Sequence, residues 1–428
     1  MGGKSVLFLV VGFSLIFLIM GKNFGRITID AAANYADYYS QTMSKNIAES
    51  GANLAVNQIY LNSLWTDGYS NINCDGGKIN VAVTIIDPVR NLRQVTSTGI
   101  FNGDTSTVQV TLSLSYFSKF AYCSNDENGI WWATGDTVNG PFHTQDHLNV
   151  NGHPVFNPGK NGYVSTRQGL NNADWRSSPV LVNTTLRTGD SLAIPTDGVS
   201  TVENLATSGG HVFSGHSDVY IVFQNDYLKY SFSTGWHASW TTVKISTLAP
   251  NGTIVADNAN LHIQGVVQGQ VTVAATGIGG TWNYWDQRRG SSGTGNIYLD
   301  GDIVYSSDPR SNRNSTDLLG IVAQQNVYVT DNSTNDDGIN IDAAIYAETG
   351  GFCAENYDNR SYSKYINLFG GITQNNRRPV GVISTDWWGN KTISNGFNKS
   401  YNYDSRLMYS VPPNFPSTNS YQIVSWYE

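Results

Sequence analysis

The sequence predicts an α+β fold that is mostly β: a long N-terminal α-helix, a small antiparallel β region, then a right-handed parallel β-helix. Three observations predict it. An uncharged apolar run opens the chain, an amphipathic pattern with small residues on its apolar face continues it, and the remainder is short alternating segments punctuated by Gly and Asn.

The opening run is Val6, Leu7, Phe8, Leu9, Val10, Val11, Gly12, Phe13, Ser14, Leu15, Ile16, Phe17, Leu18, Ile19 and Met20. At about 1.5 Å per residue it reaches roughly 22 Å, short of the ~30 Å hydrocarbon core of a bilayer. Three roles fit such a segment: a cleaved secretory signal, a single-span anchor, or a filament-core helix held in the membrane before assembly and buried among its copies afterwards. A signal peptide needs a small-residue cleavage site after the apolar core, whereas Gly-Lys-Asn-Phe-Gly-Arg follows Met20. Lys4 lies on one side of the run and Lys22 and Arg26 on the other, so the positive-inside rule assigns no orientation.

The continuation from Ile29 to Tyr60 favours the filament role. Ala32, Ala36, Tyr39, Met43, Ile47, Gly51, Leu54 and Ile59 recur at helical spacing and predict one apolar face. Ala and Gly on such a face let helices approach closely. Leu64-Trp65-Thr66-Asp67-Gly68 ends the periodicity with turn residues.

Residues 77–116 alternate as strands joined around Asn102-Gly103-Asp104. From about residue 126 period-two segments recur: Leu148 to Gly152, Leu261 to Gly265, Ile297 to Gly301, Val327 to Val329, Ile339 to Ile341 and Ile366 to Leu368. Each pairs apolar inward positions with polar outward ones. Stacked rungs of a β-helix satisfy that pattern, with long loops such as Thr281 to Gly295 projecting from them; a β-sandwich is the alternative. The resulting division is an assembly helix at 1–64, a β region at 65–125, a β-helical domain at 126–385 and a tail packing on it at 386–428.

Charged residues make up only 14% of the 428 and aromatics 12%, which describes an exported β-rich surface more than a cytoplasmic enzyme. A net charge of −8 without basic clusters excludes nucleic acid as a partner. Cys74 and Cys123 flank the β region and form a candidate disulfide in an oxidising compartment, while Cys353 reads as a buried thiol.

A β-helical polysaccharide lyase or hydrolase needs clustered carboxylates. The pair Asp336-Asp337 reads instead as a solvated turn, and Arg377-Arg378 as a pair satisfying exposed carbonyls or a neighbouring subunit. His143, Asp146, His147 and His153 lie close in sequence, but strand and turn context does not fix their rings as a helix would, so they read as a hydrogen-bonded cap on the first rung. No catalytic residue, cofactor or metal ligand is predicted. Trp131-Trp132, Trp282 to Trp285 and Trp387-Trp388 are candidate interface or glycan-stacking aromatics. Asn-x-Ser/Thr sequons, the first at Asn183, permit glycosylation without implying it.

An apolar helix running into an amphipathic half and then into GKINVAVTIIDPV and RQVTSTGIFNGDTSTVQVTLSLSY resembles the start of type IV pilins and pseudopilins. The closer resemblance is to large bacterial pilus-assembly proteins with a β-helical domain behind a pilin-like start. GPFHTQDHLNVNGHPVF, DLLGIVAQQNVYVT, INIDAAIYAETGGF, LFGGITQNNRRPVG, YNYDSRLMYSVPPNFP and YQIVSWYE are similar to successive pieces of it. Pilins of this group are usually cut after a Gly, leaving an aromatic first residue and a Glu at the fifth position. The candidate here is Gly3, which would leave Lys4 first and Phe8 fifth. The resemblance implies a non-enzymatic subunit of an extracellular cell-surface filament, inserted in the inner membrane before assembly, with identical subunits and a secretion or pilus-assembly machinery as partners. The alternatives are a membrane-anchored or pilus-tip adhesin binding surface glycans and, behind it, a polysaccharide lyase or hydrolase.

Overall fold

The computed structural model describes residues 3–87, 91–160, 162–192, 194–279, 293–389 and 391–428. Trp282, Tyr284 and Trp285, and most of the loop from Thr281 to Gly295, lie outside them. The chain folds as two compact units, Met1–Ser115 with Asn419–Glu428, and Tyr116–Thr418.

In the first unit helix α1 runs unbroken over Gly3–Leu61, about 88 Å at the usual rise. An antiparallel sheet follows: β1 (Tyr69–Cys74), β2 (Gly77–Asp87), β3 (Leu92–Phe101) and β4 (Asp104–Tyr116), in that spatial order, with the C-terminal strand Ser417–Tyr427 beside β4. Asn102 and Gly103 turn the β3–β4 hairpin in two residues, both with positive φ (49° and 95°), so Phe101 faces Asp104. The buried face of α1 begins only at Ser40 and continues through Ser44, Ile47, Ala48, Gly51, Ala52, Ala55 and Ile59 onto Ile79, Val81, Val95, Val108, Val110 and Leu112.

This corrects the predicted face. Ala32 and Ala36 are exposed, and Tyr39 and Leu54 are 49% and 50% exposed. The small residues of the lower helix admit a sheet at close range: a Cβ on Gly99 would run into the backbone of Ser44 and Ala48, and one on Gly51 into Ser97 and Ile79.

The second unit is dominated by parallel ladders in which side chains of successive strands lie in register. One ladder runs His211–Phe213, Thr253–Ala256, Gln270–Ala275, Leu318–Ala323, Ile339–Ala347, Tyr362–Asn376, Tyr122–Asp126, Phe142–Thr144, Val164–Thr166 and Leu186–Thr188. Inside it Ile254, Val273, Ile321, Ile345, Ile372, Tyr122, Phe142 and Val164 form one continuous line of buried side chains. The outer side is covered as well. Helix α2 (Gly198–Gly209) places Val202 and Ala206 in a cluster with Val255, Ala274, Val322 and Ala344, and burial on both faces explains the unbroken apolar run of Leu318–Ala323.

The order of that ladder is not the order of the chain. Tyr122–Asp126 pairs with Tyr362–Asn376, so the first coil of the unit stacks against its last, with Tyr122 opposite Ile372. From there one arm runs through Phe142–Thr144 to Leu186–Thr188, and the other begins at His211–Phe213 and returns to the seam. Antiparallel hairpins, Asp218–Asn225 with Tyr227–Ser231 and Gly381–Thr385 with Lys391–Tyr403, interrupt the winding. Residues 386–428 are therefore not one tail: Lys391–Tyr403 is an interior strand between Tyr362–Asn376 and Thr137–Asn139, while Ser417–Tyr427 belongs to the antiparallel sheet.

Candidate functional site

Among the described residues the apolar half of α1 is exposed. Its thirteen large side chains from Val6 to Met20 are 49% to 77% exposed, and Phe24, Ile27, Ile29, Tyr35 and Tyr38 extend the exposed apolar surface toward the sheet. A helix of that length and composition is able to cross a membrane. Gly3, the candidate processing position, is its first residue.

The cysteines do not pair. Cys74, Cys123 and Cys353 are free thiols. Cys74 ends β1 with its thiol toward Asp75, whereas Cys123 is fully buried among Phe117, Phe120 and Val199 in the second unit, and burial pushes its pKa far above the ordinary thiol value. The two members of the candidate Cys74–Cys123 pair thus lie in different units, one part-exposed and one enclosed.

Trp131 and Trp132 separate, as neighbours in extended chain must. Trp131 is half-buried and Trp132 is fully buried against Tyr122, Phe142, Phe156 and Tyr401, which removes Trp132 from the surface aromatics. Its indole N–H donates to Glu127 at 3.2 Å, and the Arg377 guanidinium lies 4.1 Å from its ring centroid.

Glu127 and Arg377 make the central ion pair of the seam. Arg377 Nη1 donates to Glu127 Oε2 at 2.5 Å, and the same carboxylate accepts from Tyr122 at 2.7 Å and Ser124 at 2.5 Å. Burial opposes the charge on Arg377, but the Glu127 carboxylate outweighs it and holds the guanidinium pKa above its usual value. Beside them Lys399 Nζ meets Asp136 Oδ2 at 2.7 Å, and there burial prevails, lowering the lysine pKa. Arg377 also donates to the carbonyls of Ile130 and Trp131, so it is an interior link between the first and last coils and not an exposed basic pair.

The histidine group is dispersed by the rungs. His143 is buried, its Nδ1 2.8 Å from Ser165 Oγ and its pKa lowered by burial; His147 lies 3.3 Å from Asp146; His153 is exposed and bonded to Ser178. Among the described residues no group of His, Cys, Asp and Glu is placed to hold a metal. Asp336 and Asp337 are 66% and 91% exposed and face Arg360 and Lys364 at 3.9 and 3.0 Å.

Trp387 and Trp388 are 94% and 82% exposed. The structure adds a partner that sequence reasoning missed, Trp175, 87% exposed on a neighbouring loop. Both loops are Asx turns built alike: the Asp174 carboxylate accepts from the amide of Arg176 at 3.0 Å, and that of Asp386 from the amide of Trp388 at 2.9 Å. Lys391 bridges to Asp174 at 3.5 Å, and the Arg176 guanidinium lies beside Gly389. The recurring Asp-Trp pair was the available sequence signal.

No family model and no curated protein matches the chain. Among solved structures, a comparison finds the crystal structure of the competence-associated pilin ComZ from Thermus thermophilus, with 13% identity and a TM-score of 0.40 over 91% of this chain and 97% of that one.

Proposed function

We propose that this protein is a structural, non-enzymatic subunit of an extracellular pilus-like filament. Its N-terminal helix would bundle with identical helices, after residence in the inner membrane and delivery by a secretion or pilus-assembly machinery. The stacked ladders are read as a right-handed parallel β-helix, the hand that parallel crossovers adopt.

One observation carries the reading: the apolar side chains from Val6 to Met20 are uncovered. Water is an unfavourable resting place for them. At about 1.5 kcal/mol per side chain, burying thirteen of them offers roughly 20 kcal/mol before entropic costs, enough to favour a membrane or a bundle of copies over solution. A membrane satisfies the requirement for one chain, and the sheet-bound lower half of α1 leaves the upper half available for both.

The test is Val11→Asp with Leu15→Asp. A carboxylate in a packed apolar core costs several kcal/mol unless paired, so filaments seen by electron microscopy should disappear. Filaments of normal length and number from this variant would overturn the proposal. A second reading, a glycan-binding adhesin present in few copies, is favoured by the exposed Trp175, Trp387 and Trp388.

A further inference from the structure

Three nearly free indoles on two adjoining turns of the second unit are costly to keep in water and contribute nothing to its core. Trp175, Trp387 and Trp388 are 87%, 94% and 82% exposed, whereas Trp132 of the same unit is fully enclosed. Both turns are fixed, so the rings are presented by design of the backbone. Asp174 accepts from the amides of Arg176 and Ser177 and from the Ser177 hydroxyl, at 3.0, 2.9 and 2.8 Å; Asp386 accepts from Trp388 and, through its carbonyl, from Gly389. The Lys391–Asp174 pair links the two turns, and Arg176 lies close to Gly389.

We infer that the two Asp-Trp turns form a binding platform for a neutral polysaccharide, whose pyranose rings stack on Trp175, Trp387 and Trp388. The inference rests on the adhesive reading and is independent of whether the chain polymerises.

Three features select this ligand. The first is size. An aromatic side chain buries about 150–250 Å², so three supply roughly 450–750 Å², below the ~800 Å² per partner of a standard protein interface and suited to a few sugar rings. The second is the ground around the rings. The strand Gly169–Asn172, which leads into the Asp174 turn, presents Asn171 and Asn172 to solvent, and Asn171 is oriented by a 2.8 Å bond to Asn149. Side-chain amides donate and accept, as sugar hydroxyls require, whereas the centre of a protein interface would be apolar. The third is charge. Lys391 is paired with Asp174, and Arg176, whose guanidinium lies 4.7 Å from the Trp175 ring centroid, keeps its charge but is a single cation, too little to select an acidic polymer.

The experiment titrates the full chain, in a detergent without a sugar headgroup, with cellohexaose, chitohexaose and oligomeric alginate while following tryptophan fluorescence and calorimetric heat. The expected result is saturable binding of cellohexaose or chitohexaose with a shift in emission, weaker binding of alginate, and about tenfold loss for each of Trp175→Ala, Trp387→Ala and Trp388→Ala. Trp→Tyr at the same positions, which keeps a stacking face, should retain most of the affinity. Unchanged reactivity of the enclosed Cys123 thiol verifies that the alanine variants remain folded.

No binding of either neutral hexasaccharide, or equal binding by the triple alanine variant, would overturn the inference. So would concentration-dependent self-association that the triple variant abolishes, because the rings would then be a contact between copies. Loss of filaments in the Val11→Asp, Leu15→Asp chain with glycan binding intact separates this platform from the assembly helix.

Discussion

Replacing Arg377 by Met should open the seam where the first and last coils of the second unit meet. Glu127 is fully buried and takes four hydrogen bonds, of which only the one from Arg377 carries positive charge; the others come from Tyr122, Ser124 and Trp132. Without Arg377 a carboxylate is stranded in the interior, at a cost of about 3–5 kcal/mol. The loss falls toward the upper end, because the same guanidinium also serves two carbonyls and covers the Trp132 ring.

Cys123 supplies the assay, since it lies on Tyr122–Asp126, the strand that pairs across the seam, and is fully enclosed. If labelling by a thiol reagent requires the seam to open, even the lower bound of about 3 kcal/mol raises its rate by about a hundredfold. Cys353 is 5% exposed on the Phe352–Ala354 rung and reports whether the whole unit opens; Cys74 in the first unit is the internal standard. Peptide mass spectrometry should find Cys123 accelerated well ahead of Cys353. Glu127→Gln combined with Arg377→Met removes both charges and should recover a large part of the loss. Unchanged Cys123 labelling in the single variant, or a double variant no slower than the single, would refute the reasoning.

Gly99→Val places a side chain against the backbone of Ser44 and Ala48 and should cost the first unit about 1–3 kcal/mol, read as a lower unfolding temperature and faster labelling of Cys74. His143 has its pKa lowered by burial, so the unfolded chain binds the proton more readily; stability is lost as pH falls through about 6.5 toward the lowered value, by at most about 1.4 kcal/mol per pH unit. His143→Gln should make the drop in unfolding temperature between about pH 7.5 and 5.5 shallower, and an identical drop would refute that assignment.

Elements with a local signal were legible and their partners were not. Val6 to Met20 is announced by the absence of charge, and the predicted segments Leu261 to Gly265, Ile297 to Gly301 and Val327 to Val329 all fall within strands because alternation is written into adjacent residues. Nothing adjacent in sequence says that Tyr122 faces Ile372, or that Arg377 will find Glu127. The doubled residues mislead for a physical reason. In extended chain neighbours point to opposite sides, so Trp131-Trp132 splits into an outer and an inner ring, whereas the turn at Asp386 lets Trp387 and Trp388 both face water. On α1 the apolar period was readable, but the choice of buried face was not, because a sheet at close range selects Ser, Ala and Gly over Leu54.

The topology also explains how so large a body can sit within a small sheet's sequence. Tyr116–Thr418 lies in the chain between β4 and the C-terminal strand, which are neighbours in the sheet. An insertion leaves such a pair undisturbed only if its own ends are close together. Here the amide of Phe117 donates to the carbonyl of Pro416 at 3.4 Å, and Phe117 and Phe415 enter one buried cluster on the outer face of the stack. The body therefore closes its own entrance and exit. Its winding follows from the same constraint: a chain that enters and leaves at one place cannot wind monotonically from one end of a stack to the other. It starts mid-stack at Tyr122–Asp126, builds outward to Leu186–Thr188, crosses along α2 and winds back from His211–Phe213 to the seam. Among the described residues the seam is then the one join in the stack made by residues about 250 apart in sequence, and it is where the buried ion pairs Glu127–Arg377 and Asp136–Lys399 are found. Apolar rungs alone would stack there in any order. Charges whose counter-ions lie across the seam make the native order the one without a stranded ion.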